Sequence, residues 1–230
     1  MEAKFAQVGG MKVSRICLGM MSYGDNKATG VARHSWTNPD FEHARNMVER
    51  AFSKGINFFD TANVYSSGDS ERLVGECLRS LNIPRSQYVV ATKLGLPMGI
   101  GPNERGLSRK HIFESVNESL KRLDMDYVDL LIIHRLDRET SPEEIMCALH
   151  DVVRSGKALY LGASSMYAWE FAKLQNIAER NGWTKFVSMQ NYYNLVYREE
   201  EREMIPMLHD QNVLCTPWSP LARGVLARSF

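Results

Sequence analysis

The 230-residue chain is 44% hydrophobic and 24% charged, close to the averages for folded globular proteins. These proportions exclude an intrinsically disordered, collagen-like or disulfide-scaffolded chain. Its 28 Lys and Arg residues nearly balance 27 Asp and Glu residues, so no overall field attracts nucleic acid or an anionic membrane, and we expect neither as a partner. One barrel can occupy a chain of this length, so we expect a single domain over residues 1–230.

The N-terminal residues 1–5 lack the apolar core of a signal peptide, and no apolar run approaches the length of about 18 residues that a membrane-spanning helix requires. These features predict a cytoplasmic location. The cysteines are far apart and form no C-x-x-C pair or other metal-ligand spacing, so we expect reduced thiols and no metal site. They are Cys17, Cys77, Cys147 and Cys215.

Short runs rich in β-branched and aromatic residues recur along the chain, and each has the length of a strand. Their nearly continuous apolar character is typical of strands that are buried on both faces of a parallel sheet. In front of them, the turn at residues 8–11 predicts a hairpin over residues 1–14. The predicted strands of the sheet are residues 15–18, 56–59, 88–91, 128–133, 158–163, 186–189 and 213–215.

Helical patterns of apolar residues separate these strands. The strongest start signal is residues 141–144, because a Ser cap followed by Pro142 and by Glu144 forms a capping box. Ser108 is a second predicted cap. The other predicted helices begin at Phe41 or cover residues 70–81, 168–181 and 199–211.

Strand and helix alternate at roughly the thirty-residue spacing of a βαβ unit, which predicts an α/β fold with a parallel sheet. A doubly wound sheet should carry a G-x-G-x-x-G turn after an early strand. That turn is absent from the sequence, so a (β/α)8 TIM barrel with an N-terminal β-hairpin is favoured. Only about seven barrel strands can be counted, whereas a complete barrel has eight. We therefore expect an incomplete barrel here, and a working protein longer than 230 residues whose further sequence supplies the eighth strand.

Polar residues follow three successive predicted strands: Asp60, Lys93 and His134, with Tyr65 five residues after Asp60. Functional residues of a parallel barrel lie at the C-terminal ends of its strands, so these side chains should meet. A phenol has a pKa near ~10, and a nearby ammonium group lowers that value. We therefore expect Lys93 to lower the pKa of Tyr65 and Asp60 to hold Lys93. His134 would bind the carbonyl oxygen that Tyr65 protonates. A nicotinamide or flavin cofactor would supply the hydride.

Residues 55–62 with Tyr65, and residues 123–130 with His134, resemble the two signatures of the aldo-keto reductase superfamily. The resemblance continues in order through residues 162–165, 190–191 and 218–224 and covers nearly the whole chain. Residues 135–137 and 219–221 are most similar to the branch that includes aryl-alcohol dehydrogenase-like reductases and potassium-channel β subunits.

The resemblance implies an NADP(H)-dependent oxidoreductase that reduces a small aldehyde or ketone, with Asp60, Tyr65, Lys93 and His134 as its catalytic residues. It also implies a cofactor site. Ser164 and Gln190 would bind the nicotinamide carboxamide and Trp218 would stack on its ring, while Ser219, Leu221 and Gly224 would lie along the pyrophosphate and Gly19, Met20 and Asp60 would border the cofactor.

Two departures from the family pattern leave alternatives open. Ser165 stands where the family usually has Asn, and the βα unit that binds the 2′-phosphate of NADP in the family has no counterpart before Phe230. The missing βα unit leaves a catalytically impaired fragment as one alternative. An NADP-sensing regulatory subunit is a second alternative to an active reductase, because it would share the four predicted catalytic residues. The sequence leaves the physiological substrate, the choice between NADP and NAD, and the oligomeric state open.

Overall fold

A computed structural model describes residues 5–25 and 37–228 of the chain. Two antiparallel strands form an N-terminal hairpin, β1 (Phe5–Val8) and β2 (Met11–Ser14). Seven parallel strands then pair in sequential order in one sheet. They are β3 (Leu18–Gly19), β4 (Phe58–Asp60), β5 (Val89–Leu94), β6 (Val128–Ile133), β7 (Ala158–Ser164), β8 (Phe186–Gln190) and β9 (Leu214–Cys215). This arrangement confirms the predicted α/β fold, an incomplete TIM barrel with an N-terminal hairpin.

Helices connect the strands on one side of the sheet. They are α1 (Phe41–Ser53), α2 (Asp69–Ser80), α3 (Arg109–Leu123), α4 (Pro142–Arg154), α5 (Ala168–Asn181) and α6 (Met204–Asp210). The prediction of one helix over residues 199–211 was wrong, because a 3-10 turn at Glu199–Glu201 precedes the shorter α6. Pro206 explains the break, since a proline ring clashes with the carbonyl four residues earlier, here that of Arg202.

The predicted caps are only partly correct. The Ser108 hydroxyl accepts from the His111 N–H at 3.3 Å, and the Ser141 hydroxyl accepts from the Glu144 N–H at 3.1 Å. The Glu144 carboxylate, however, accepts from the Arg109 N–H at 2.9 Å. It therefore satisfies a free donor at the start of α3, and the predicted reciprocal capping box of α4 does not form.

β3 and β4 begin later than the predicted strands at residues 15–18 and 56–59. Between these two strands, side-chain hydrogen bonds take the place of the backbone hydrogen bonds that would precede them. Ser14 and Asn57 exchange two bonds, from the Ser14 N–H to Asn57 Oδ1 at 2.7 Å and from the Asn57 N–H to Ser14 Oγ at 3.1 Å. Backbone pairing then starts at Leu18 opposite Phe59. In the described ranges, β3 and β9 are the two edges of the sheet.

Alternate residues of each strand face opposite sides of the curved sheet. Phe58, Ala91 and Ile132 pack in one inner cluster, which the hairpin residues Val8 and Val13 cover at the N-terminal end. Intervening residues such as those at 59, 90 and 131 pack outward against the helices. Continued by two residues, the inner rows reach Asp60, Lys93 and His134, so the strand period alone directs these three side chains to the C-terminal end of the interior.

The hairpin lies close against the barrel at Gly9. A Cβ at this glycine would lie 2.5 Å from the ring of Tyr160, and its φ of +56° also favours glycine.

The structure also bears on the predictions about membrane spans and cysteines. Over residues 5–25 and 37–228, no helix combines the length and the apolar character that crossing a membrane would need. The four cysteines are free, and Cys77 is buried.

Candidate active site

Lys93 lies at the centre of the predicted site, with its side chain fully buried. Its ammonium donates three hydrogen bonds, to Asp60 Oδ1 at 2.5 Å, to the Thr61 carbonyl at 2.8 Å and to the Tyr65 hydroxyl at 3.2 Å. These acceptors satisfy the three N–H groups of the ammonium. Burial alone would lower the pKa of Lys93, but Asp60 and Tyr65 together raise it above its ordinary value. Lys93 is therefore a fixed positive charge at neutral pH.

Lys93 lowers the pKa of Tyr65 as predicted, but the net shift of that pKa is upward. Burial raises the pKa of the Tyr65 phenol, and the Lys93 ammonium, which lowers it, offsets only part of that effect. The free-energy cost of moving the phenolate out of water exceeds the stabilisation that the Lys93 ammonium gives it, because Lys93 also neutralises the Asp60 carboxylate. In this arrangement Tyr65 keeps its proton at neutral pH and can act as a proton donor.

A left-handed turn holds Tyr65 over Lys93. After β4, the N–H of Asn63 bonds to the Lys93 carbonyl at 3.1 Å and so extends the ladder. The chain then turns at Ser66 and Ser67, whose φ angles are +46° and +55°. Such angles are costly for residues other than glycine and cluster at functional sites. The Ser66 hydroxyl, buried and donating to the Tyr23 carbonyl at 3.1 Å, stabilises this turn.

His134 completes the group of four predicted catalytic residues. Its backbone N–H donates to the Leu94 carbonyl at 2.8 Å, which continues the pairing of β5 and β6 past the end of β6. The imidazole then lies edge-on to the Tyr65 ring, with the two centroids 5.7 Å apart. The structure therefore brings Asp60, Tyr65, Lys93 and His134 together at one end of the sheet.

Ser164, which ends β7, and Gln190, which ends β8, lie beside this group. Gln190 Nε2 donates to Asp60 Oδ2 at 3.0 Å, so both carboxylate oxygens of Asp60 are bonded. The Ser164 hydroxyl donates to the Gln190 carbonyl at 2.9 Å. The bond between Gln190 and Asp60 was not predicted, because it joins residues 130 positions apart. The register of β7 and β8 shifts between Leu161 and Gly162, so the strand period of two, counted from the outward-facing Phe186, would not have placed Gln190 in the interior.

Trp218 follows β9 and has its own partners. Its indole N–H donates to Ser165 Oγ at 3.0 Å, and the Tyr192 ring lies against it with the centroids 4.4 Å apart. Tyr192 therefore covers part of the indole surface. Neither contact was predicted, although Ser165 directly follows Ser164 and Tyr192 lies two residues after Gln190.

The remaining predicted cofactor residues are more dispersed. Gly19 ends β3, and its Cβ position has no described atom within 4 Å. Met20 is fully buried in the outer cluster, so only its backbone borders the site. Ser219 and Gly224 have left-handed φ angles of +51° and +97°, and Leu221 is exposed. Among the hydrogen bonds of the described residues, none links these last three to the Asp60–Lys93–Tyr65 group.

Arg135 lies beside the predicted site residues, although the sequence had indicated it only as part of the resemblance to one family branch. Its Nη1 donates to the His134 carbonyl at 2.5 Å and to Ser164 Oγ at 3.2 Å. Its position directly after His134 was the signal that could have indicated a place near the site. No group of three or more His, Cys, Asp or Glu side chains suitable for a metal ion occurs within the part of the chain that the structure describes.

The amino-acid sequence is similar to those of known proteins of one family. A model of the Aldo/keto reductase family matches residues 15–230. Versiconal hemiacetal acetate reductase of Aspergillus parasiticus is 52% identical, over 99% of this chain and 70% of its own length. A Schizosaccharomyces pombe protein whose name assigns it to the aryl-alcohol dehydrogenases is 48% identical, over 96% of this chain and 68% of its own. The aldo-keto reductase AMT2 of Alternaria alternata is 47% identical, with coverages of 99% and 67%.

Proposed function

Because this chain belongs to the aldo/keto reductase family, we propose that it reduces an aldehyde or ketone to the alcohol with NADPH as the hydride donor. One observation carries the proposal: a fully buried Lys93 ammonium bonds both to the Asp60 carboxylate and to the Tyr65 hydroxyl. A lysine held in this way is suited to stabilise the phenolate that forms when Tyr65 gives up its proton.

In the proposed mechanism, a nicotinamide held near Ser164 and Gln190 would supply the hydride for the carbonyl carbon. Tyr65 donates its hydroxyl proton to the carbonyl oxygen, which becomes the alcohol. Lys93 then stabilises the phenolate, and Asp60 keeps Lys93 charged and in place. His134 polarises the same carbonyl oxygen. The proton that Tyr65 has lost is returned from solvent before the next turnover.

The residues present fit a nicotinamide carboxamide. Gln190 uses an N–H on Asp60 and keeps its Oε1 as an acceptor, while Ser164 Oγ donates to a carbonyl and retains a lone pair. These two oxygens can accept from the amide NH2. Ser165 accepts from Trp218, so its own hydroxyl proton is available for the amide oxygen. We propose that Ser165 thereby performs the role of the Asn that is usual in the family.

The preference for NADP and the cytoplasmic location belong to the same proposal. Left-handed backbone at Ser219, Ala222, Arg223 and Gly224 supports a phosphate-binding segment after β9, because successive left- and right-handed residues direct their N–H groups toward an anion. The four free cysteines support the cytoplasm, where thiols stay reduced.

The test of the proposed function is turnover of benzaldehyde with NADPH by the purified chain, followed by the loss of NADPH absorbance. We expect turnover that depends on both enzyme and aldehyde, and faster turnover with NADPH than with NADH. NADPH binding without turnover would instead support the regulatory subunit. Absence of both binding and turnover would support the catalytically impaired fragment.

The bond from Trp218 to Ser165 gives a prediction about cofactor affinity. Ser165→Ala removes the acceptor of the indole N–H and the donor proposed for the carboxamide, so the Kd for NADPH should rise about 5- to 50-fold. Quenching of tryptophan fluorescence during a titration measures this Kd.

Ser165→Asn should keep most of the affinity, because an amide supplies both a donor and an acceptor. The control is Ser155→Ala, which removes a hydroxyl that bonds only to the Val152 carbonyl at the end of α4. An unchanged Kd in Ser165→Ala would exclude Ser165 from cofactor binding.

A further inference from the structure

One charged group at the mouth of the site is not used by the mechanism proposed above. Arg135 follows β6, and its Nη1 bonds to the His134 carbonyl and to Ser164 Oγ. These bonds fold the side chain back across the ends of β6 and β7, on the side of the sheet where Tyr65 and His134 lie. Arg135 is nevertheless exposed, so a ligand can reach it.

The charge of Arg135 has no acidic partner within residues 5–25 and 37–228. Other arginines around the barrel are paired: Arg85 with Asp129, Arg122 with Glu71, and Arg138 with Glu170. Arg138 is only three residues further along the same loop. Partial burial lowers the pKa of the Arg135 guanidinium, a cost that no carboxylate offsets. The guanidinium still stays charged at neutral pH.

The remaining donors of Arg135 form a free edge. Both of its bonds use Nη1, and the hydrogen bonds of the described residues include none from Nε or Nη2. Two parallel N–H groups on such an edge match the two oxygens of a carboxylate, and this bidentate pairing is a strong form of charge-assisted hydrogen bond. A substituent with a single acceptor oxygen would bond to only one of these two N–H groups, and a neutral one would leave the positive charge unpaired.

We propose that Arg135 binds a carboxylate on the carbonyl substrate, so that the site favours aldehydes or ketones that carry an acidic group near the reacting carbonyl. This inference rests on the proposed function, because the carbonyl is placed between Tyr65 and His134. A substituent of that carbonyl lies beside Arg135, the residue next to His134 in the chain. Arg135 is therefore a specificity-determining residue and takes no part in proton transfer.

The experiment compares the three formylbenzoates with their methyl esters, since each pair differs mainly in one negative charge. The wild-type chain should show a higher kcat/KM for at least one acid than for its ester. Arg135→Met should lower that acid-to-ester ratio about 10- to 100-fold, the range expected when a charged hydrogen-bonded partner is removed. Arg135→Lys keeps the charge without the paired edge and should give an intermediate ratio.

The matched control is Arg180→Met, which removes an exposed arginine in the last turn of α5 and should leave the ratio unchanged. Equal kcat/KM for acids and esters in the wild type, or a preference that Arg135→Met does not reduce, would overturn the inference. If neither acids nor esters are reduced, the proposed function fails. Calorimetry with terephthalate then decides the inference by itself: binding lost in Arg135→Met and kept in Arg180→Met supports it, and any other result overturns it.

Discussion

Replacing Tyr65 by Phe should lower the rate of carbonyl reduction by a factor of about 10² or more, the contribution of a positioned general acid. The variant keeps the ring that packs edge-on against His134 and loses only the hydroxyl that Lys93 contacts at 3.2 Å. NADPH binding should therefore remain nearly intact. Single-turnover kinetics with saturating NADPH separate these two effects, because they report the chemical step without product release.

Tyr127→Phe is the control, since that ring packs under Arg85, with its centroid 4.1 Å from the guanidinium carbon. The described hydrogen bonds of Lys93 go to Asp60, Thr61 and Tyr65 and do not involve Tyr127. It should reduce the carbonyl at the wild-type rate. Full activity in Tyr65→Phe would remove Tyr65 from the mechanism.

The pH profile gives a second test of the same assignment. A proton donor is active while it holds its proton, so its rate falls as the pH rises through its pKa. Burial raises the pKa of Tyr65 above the ordinary phenol value of ~10. The rate of the chemical step should accordingly stay level through the imidazole range and fall only in strongly alkaline solution. A fall centred near ~6.5 would assign the donor to His134 instead.

The proximity of Asp60, Lys93 and His134 could be predicted from the sequence, because strand geometry alone places these three side chains at one end of the sheet interior. Asp60, Lys93 and His134 each lie two residues beyond an inner apolar residue, and the period of two holds wherever a strand continues. Tyr65 is different. It reaches Lys93 through a left-handed turn at two serines, Ser66 and Ser67, and no glycine marks those positions.

Side-chain hydrogen bonds between residues of different strands could not be predicted from the sequence. Gln190 bonds to Asp60 across the curved interior, and Arg135 bonds to Ser164 from the neighbouring strand end. Both depend on how strongly the sheet curls, which the apolar pattern does not encode. The resemblance to a family had assigned Gln190 and Ser164 to the cofactor but gave no indication of their bonds to each other or to Asp60.

The net direction of the Tyr65 pKa shift could not be predicted from the sequence either. Proximity of Lys93 to Tyr65 was predicted correctly, yet the net shift depends on how much water surrounds the phenol. The Tyr65 ring lies against Lys93 from β5 and against His134, which follows β6. The sequence pattern predicts that Lys93 and Tyr65 are neighbours, but it does not predict how far each group is removed from water.

Lys93 and Asp60 should behave as one unit in both activity and stability. Lys93→Met should lower kcat/KM by a factor of about 10² to 10⁴, because Tyr65 loses the cation that stabilises its phenolate. It should also lower the free energy of unfolding by about 3–5 kcal/mol, because it leaves the largely buried Asp60 carboxylate without its counter-ion. Asp60→Asn alone leaves Lys93 buried without a negative partner and should reduce both quantities.

The double variant separates coupling from simple addition. Combining Lys93→Met with Asp60→Asn removes both charges together, so the second substitution should cost little activity and should restore part of the lost stability. Chemical denaturation and kcat/KM on all four members of the cycle measure the two couplings. Lys185 and Glu179 form an exposed ion pair and serve as a control cycle, with an expected coupling below about 1 kcal/mol and unchanged turnover. Strictly additive losses at Lys93 and Asp60 would mean that Asp60 does not act through Lys93, and the proposed proton-donor arrangement would then have to be assigned to Lys93 and Tyr65 alone.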